Sequence, residues 1–112
     1  MASVLIALGS NHQQSAHIQW ASQRLSALFT DVSLSPVLWT PDIHGHGTWY
    51  MNRLIRAKTP LTPTQLTALL KLTEKETRRT KQHVTIDLDL MQYNEDHYHL
   101  DDWERSYIKR LL

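Results

Sequence analysis

The 112-residue chain predicts an α+β domain, and three observations carry that expectation. Two segments, 13–29 and 64–79, repeat apolar residues at helical spacing. Runs of branched aliphatics at 3–8 and 83–93 flank them, with the second run alternating apolar and polar residues as a half-buried strand does. Clusters of glycine, proline and asparagine separate the segments.

Residues 3–8, SVLIAL, are almost continuously apolar, as expected of a central strand. The run stops at Gly9-Ser10-Asn11, a turn cluster whose side chains can also cap a helix. Ile18, Ala21, Leu25, Leu28 and Phe29 then mark the first helix. Residues 31–40 read as a strand, and Pro36 assigns it an edge or a bulge, because proline donates no ladder hydrogen bond. PDIHGHG at 41–47 is a loop, and 48–58 a longer strand. The second helix follows Pro60, with Thr62 as N-cap, Pro63 at its first position and Leu66, Leu69, Leu70 and Leu72 on its buried side. The strand 83–93 comes next, and 101–112 closes the chain as a short amphipathic helix. The order β-α-β-β-α-β plus a terminal helix is the ferredoxin-like arrangement, an antiparallel sheet with helices on one face. That fold hosts many functions, so function has to be argued from sites.

At this length the chain is one domain, 1–112, with a single core. A net charge of +1 gives no bulk electrostatic case for nucleic acid or an anionic membrane. The absence of cysteine excludes disulfides, thiolate metal sites and a cysteine nucleophile. The longest apolar run, 4–8, is too short to span a bilayer, and the N-terminus lacks the pattern of a signal peptide. A cytoplasmic protein, monomeric or weakly dimeric, is expected.

Chemistry concentrates in HVTIDLDLMQY. Alternation places Val84, Ile86, Leu88 and Leu90 on one face and Thr85, Asp87, Asp89 and Met91 on the other. Aspartate is depleted in strands, and two carboxylates roughly 6–7 Å apart along one strand repel unless positive charge lies over them. Hard divalent cations meet that need, because Mg²⁺ takes carboxylate oxygens and keeps positions open for phosphate. A D-x-D alone is also compatible with a plain wetted face.

Further stretches align with it. ALGSN at 7–11, the Thr40-Pro41 turn, Tyr50-Met51-Asn52, Glu74, TIDLD at 85–89 and Arg105-Ser106-Tyr107 occur in order over almost the whole chain. On these residues the sequence resembles the 6-hydroxymethyl-7,8-dihydropterin pyrophosphokinases, folate-pathway enzymes that move a diphosphate from ATP to a pterin alcohol. The resemblance implies that Asp87 and Asp89 hold two Mg²⁺ ions bridging the ATP phosphates. It also implies attack on the β-phosphorus with release of AMP. The pterin would meet the backbone around Thr40, Pro41 and Ile43 and the amide of Asn52, with Tyr50 and Tyr107 on its two faces. On the nucleotide side it implies Lys71, Glu74, Leu90 and Arg105, with Arg79 as a catalytic cation.

The sequence also departs from the family pattern. The family's mobile loop before the D-x-D strand, with its tryptophan and arginines, is reduced here to residues 80–84. Lys71 stands where a glutamine is expected, and His99 at most substitutes for a missing Pro-His pair. The shortened loop leaves two outcomes, a slow transferase or a pterin- or nucleotide-binding homologue with weak or lost transfer. Two other signals carry less. His44-x-His46 and His97-x-His99 lie in expected loops with no carboxylate at ligand spacing, so a zinc site is disfavoured. An RNA-recognition domain would need aromatic side chains on the first strand, which has none.

Overall fold

The computed structural model describes residues 1–42, 47–78, 80 and 83–112. In chain order the described elements are β1 (Ala2–Ser10), α1 (Gln14–Leu28), β2 (Thr30–Leu34), β3 (Leu38–Pro41), β4 (Trp49–Thr59), α2 (Pro63–Glu76), β5 (Asp87–Tyr93), β6 (Asp96–His97), α3 (Leu100–Trp103) and α4 (Ser106–Leu111). The described strands form one six-stranded antiparallel sheet in the order β2-β4-β1-β5-β6, with β3 also pairing β4. The protein is therefore a mixed α/β domain. No described helix is long and apolar enough to cross a membrane.

β1 is central and buried on both faces, which is why its sequence is apolar without alternation. Val4, Ile6 and Leu8 pack against Ile18, Ala21 and Leu25 of α1 and Leu66 and Leu70 of α2. Leu5 and Ala7 face the other side, where Leu54, Met91 and Ile108 complete a second cluster with partly buried Trp103, Tyr107 and Leu111. The terminal helices thus cover the sheet face opposite α1 and α2. Thr62 caps α2 as its position predicts: its hydroxyl accepts from the Gln65 N–H at 3.2 Å, and the Gln65 amide oxygen accepts from the Thr62 N–H at 3.0 Å.

Four expectations are corrected. The strand expected at 31–40 is two strands, because Leu34 pairs with Ile55 and Leu38 with Asn52, so three residues (35–37) oppose two. Pro36 sits in that bulge, and Ser35 keeps the edge closed: its hydroxyl accepts from the Leu54 N–H at 2.8 Å and its N–H donates to the Leu54 carbonyl at 2.9 Å. In α2 the buried stripe runs Leu66, Leu70, Thr73 and Glu74, which leaves Leu72 off the stripe and 61% exposed. The D-x-D strand begins at Asp87 rather than His83, and Met91 is an extra residue between Leu90, opposite Ile6, and Gln92, opposite Leu5. That bulge turns Tyr93 into the helix-side core, where its hydroxyl donates to the Leu61 carbonyl at 2.7 Å. The terminal helix is split into α3 and α4 by Arg105, whose backbone is extended (φ −68°, ψ 139°).

Candidate functional site

Small residues make room for the site. On the sheet face opposite α1 and α2, Gly9 of β1 lies between Asn52 of β4 and Asp87 of β5, and Ala7 lies between Leu54 and Asp89. Because Ala7 and Gly9 project little, the taller side chains on either side stand over a trough. Tyr50, Asn52, Thr40 and Pro41 wall one side and Asp87 and Asp89 the other, while Asp102, Arg105, Ser106 and Tyr107 from the terminal helices close the top. The cavity is partly open to solvent and measures about 480 Å³, in the range of small-molecule sites.

Asn52 is buried, and both N–H bonds of its amide are used across the sheet edge. Nδ2 donates to the Thr40 hydroxyl at 2.8 Å and to the Leu38 carbonyl at 3.2 Å. Of the two donors and one acceptor expected from the sequence, the acceptor Oδ1 is the group left toward Gly9, whose Cβ position lies 3.6 Å from it.

The two aspartates are held close enough to share a hydrogen bond. Burial, and next the neighbouring Asp87 carboxylate, push Asp89 up to about 7, with Glu74 and Asp102 adding to the effect. The His99 ring is also near, its Nε2 4.0 Å from Asp89 Oδ1. Burial also raises the Tyr107 phenol, although the adjacent Arg105 guanidinium works the other way. Arg105 in turn pairs with Asp102 at 3.1 Å.

Among the described residues no group of three or more histidine or acidic side chains is arranged to hold a metal ion. Asp87 and Asp89 present carboxylate oxygens, the ligand type that hard cations such as Mg²⁺ take.

A second cleft of about 700 Å³ opens between α2 and β5. Leu70, Leu88, Leu90 and Tyr98 form its apolar part, and Thr64, Thr67, Lys71 and His99 its polar part. Asp89 lines both this cleft and the first cavity.

The structure brings together Thr40, Pro41, Tyr50, Asn52, Asp87, Asp89, Arg105 and Tyr107 in the first cavity, and Lys71 and Leu90 in the second. Arg105, grouped with the nucleotide residues by resemblance, lines the first cavity. Glu74 lines neither: it is buried, and its Oε2 accepts from the Leu88 N–H at 2.7 Å, tying β5 to α2. Glu74→Ala should therefore lower unfolding free energy by about 1–2 kcal/mol through a stranded N–H, and Glu74→Gln by less. Urea unfolding measures this; unchanged stability with weakened ATP binding would make Glu74 a ligand instead. Ile43 and Arg79 lie outside the described residues, as do His44, His46 and Lys81.

Asp102, Ser106 and the spacers Ala7 and Gly9 were not anticipated as site residues. The two spacers had a visible signal, small residues at alternate positions of an otherwise bulky strand. Asp102 had none, because the angle at which α3 meets the sheet leaves no periodic trace.

The family model of 7,8-dihydro-6-hydroxymethylpterin-pyrophosphokinase (HPPK) matches residues 5–112. No curated relative matches the chain. The matched span contains β1 from Leu5 onward, both aspartates of β5 and the terminal helices that line the cavity. On that match the chain belongs to the 7,8-dihydro-6-hydroxymethylpterin-pyrophosphokinase family, whose members transfer pyrophosphate from ATP to hydroxymethyldihydropterin in folate synthesis.

Proposed function

We propose that this chain transfers the β,γ-diphosphate of ATP to 6-hydroxymethyl-7,8-dihydropterin and releases AMP. The observation that carries the reading is Asp89, which lines two cavities of different chemistry at once. The first, with two tyrosines and an amide oxygen, suits a flat ring that carries N–H donors. The second, with leucines beside Lys71 and two threonines, suits a nucleoside with its phosphates directed toward Asp89.

In this reading Tyr50 and Tyr107 hold the ring between them. Asn52 Oδ1 accepts from a ring N–H, and the backbone at Thr40 and Pro41 meets the ring edge. The hydroxymethyl oxygen then faces β5. It forms a bond to the β-phosphorus as the bond from that phosphorus to the α-phosphate oxygen breaks; AMP leaves with the electron pair, and the hydroxyl proton passes to water. Arg105 adds positive charge at the cavity mouth once it exchanges Asp102 for phosphate oxygens. Asp87 and Asp89 would hold Mg²⁺, two ions on the resemblance drawn above, which when bound offsets charge on the transferring phosphates. For this the proton retained by the raised Asp89 must leave, so nucleotide loading should strengthen as pH rises through about 7. Strand order β2-β4-β1-β5 is read as the ferredoxin-like one, with β3 and β6 as additions. The composition is that of a cytoplasmic protein, and ATP and the pterin are its small-molecule partners.

Turnover should be slow, well below the roughly 10 s⁻¹ median of enzymes. Only residues 80–84 separate Arg79 from the D-x-D stretch, and that is little chain to screen phosphates from water. The assay is AMP release from Mg-ATP with and without the pterin. Pterin-dependent AMP supports the proposal. Tight binding of both ligands with no AMP identifies a binding homogue that has lost transfer.

A further inference from the structure

Asn11 stands in the turn after β1 and lines neither cavity. Its backbone N–H donates to the Val84 carbonyl at 2.9 Å, and its Oδ1 accepts from the Val84 N–H at 2.8 Å, so one residue grips both polar groups of Val84. Its Nδ2 meanwhile donates to the Tyr50 hydroxyl at 3.4 Å. The ring of Tyr50 is on the first cavity's wall, while its hydroxyl reaches past that wall to Asn11.

The grip matters because of where Val84 lies. The sheet ladder of β5 begins at Asp87, so residues 84–86 reach the aspartates without strand pairing of their own. Their placement depends on what holds them from outside. Asn11 is one such hold, the Thr77–Thr85 hydroxyl contact at 2.6 Å is a second, and the His12 and His83 rings, with centroids 4.2 Å apart, pack beside the first. Asn11 thus connects the lead-in to Asp87 with Tyr50.

We propose that Asn11 is a positioning residue that links packing of a ring against Tyr50 to the placement of the strand bearing Asp87 and Asp89. The inference rests on the functional reading above, with the ring in the first cavity and the nucleotide in the second. A ligand that fixes Tyr50 fixes its hydroxyl, and so the Asn11 amide and the Val84 peptide. By linkage a nucleotide that fixes the aspartates must favour the ring to the same degree.

The test uses the full chain, 6-hydroxymethyl-7,8-dihydropterin, and Mg²⁺ with a non-transferable α,β-methylene analogue of ATP. Pterin affinity is measured by calorimetry with and without the analogue, and the ratio of the two values is the readout. In the wild-type chain the ratio should be about fivefold or more, and in Asn11→Ala and Tyr50→Phe it should fall below about twofold, whatever happens to the separate affinities. Exchange of the Val84 amide hydrogen should slow on pterin binding in the wild type and not in Tyr50→Phe. A ratio that survives in Tyr50→Phe, or is absent from the wild type although both ligands bind, overturns the role of Asn11 and leaves the functional reading standing. Failure of the wild type to bind the pterin at all overturns that reading, and the inference with it. Should Asn11→Ala not fold, Tyr50→Phe alone decides, because it keeps both the ring and Asn11.

Discussion

Asp89→Asn is expected to slow diphosphate transfer by about 10²–10³-fold, the scale of losing one group that stabilises developing charge, while making the ligand-free protein more stable at pH 8. Both effects come from the same environment. Asp89 is pushed up to about 7, first by burial and then by the carboxylate of Asp87. The unfolded chain releases this proton near its ordinary value of 3.8, so between there and about 7 the folded state holds more protons than the unfolded one. Stability from this group is therefore fully present below about pH 4 and lost as pH rises through about 7. Above that pH the folded protein carries two adjacent carboxylates, and asparagine removes one of the charges. The side chain is 31% exposed, so solvent screens part of the cost. A gain of about 1–3 kcal/mol at pH 8 is expected, with little at pH 4. Thermal melts at the two pH values, with and without Mg-ATP, measure it. Equal melting temperatures for variant and wild type at both pH values would mean that the pair is not strained in the free protein.

Asn52→Ala should weaken binding of the pterin by about 1–3 kcal/mol, or roughly 5–150-fold, and leave the affinity for Mg-ATP near its wild-type value. The alanine removes the acceptor Oδ1 and also the two donors that fasten β3 to β4 through Thr40 and Leu38. Asn52→Asp separates the two roles, because it keeps an oxygen acceptor but loses the donors. If ring recognition dominates, Asn52→Asp should bind the pterin better than Asn52→Ala. If the tie to β3 dominates, both variants should lose affinity together. Calorimetric titration of each ligand gives the comparison, and pterin affinity unchanged in both would remove Asn52 from the site.

Much of the fold was legible because its signals are local. The continuous apolar run of β1, the helical spacing of Ile18, Ala21 and Leu25, and the capping box at Thr62 all follow from short-range rules, and each lies where its pattern put it. The parity of β5 was also legible, with Leu88 and Leu90 buried toward the helices and both aspartates on the opposite face. What was not legible depends on non-local pairing. Residues 83–86 alternate like a strand, but Asn11, Thr77 and Thr80 make polar contacts with them in place of a neighbouring strand. Leu72 has the composition of a core residue and the wrong phase on α2, where Thr73 and Glu74 take the buried positions.

The site was legible in a different sense. Asp87 and Asp89 suggest a cation on elementary grounds, whereas Thr40 of β3, Tyr50 and Asn52 of β4 and Tyr107 of α4 were joined only by family resemblance. Asp102 escaped both routes. Its place beside the aspartates depends on the break between α3 and α4, where Arg105 turns extended and pairs with it at 3.1 Å.

The central claim is that the two cavities meeting at Asp89 hold a donor and an acceptor of a diphosphate group. A single-turnover experiment with enzyme in excess over 6-hydroxymethyl-7,8-dihydropterin and saturating Mg-ATP tests it most directly, because slow product release cannot mask the chemistry. AMP and pterin diphosphate should form in equal amounts, with no ADP, and both should form about 10²–10³-fold more slowly in Asp89→Asn. ADP without AMP, or AMP formed equally well without the pterin, would contradict it.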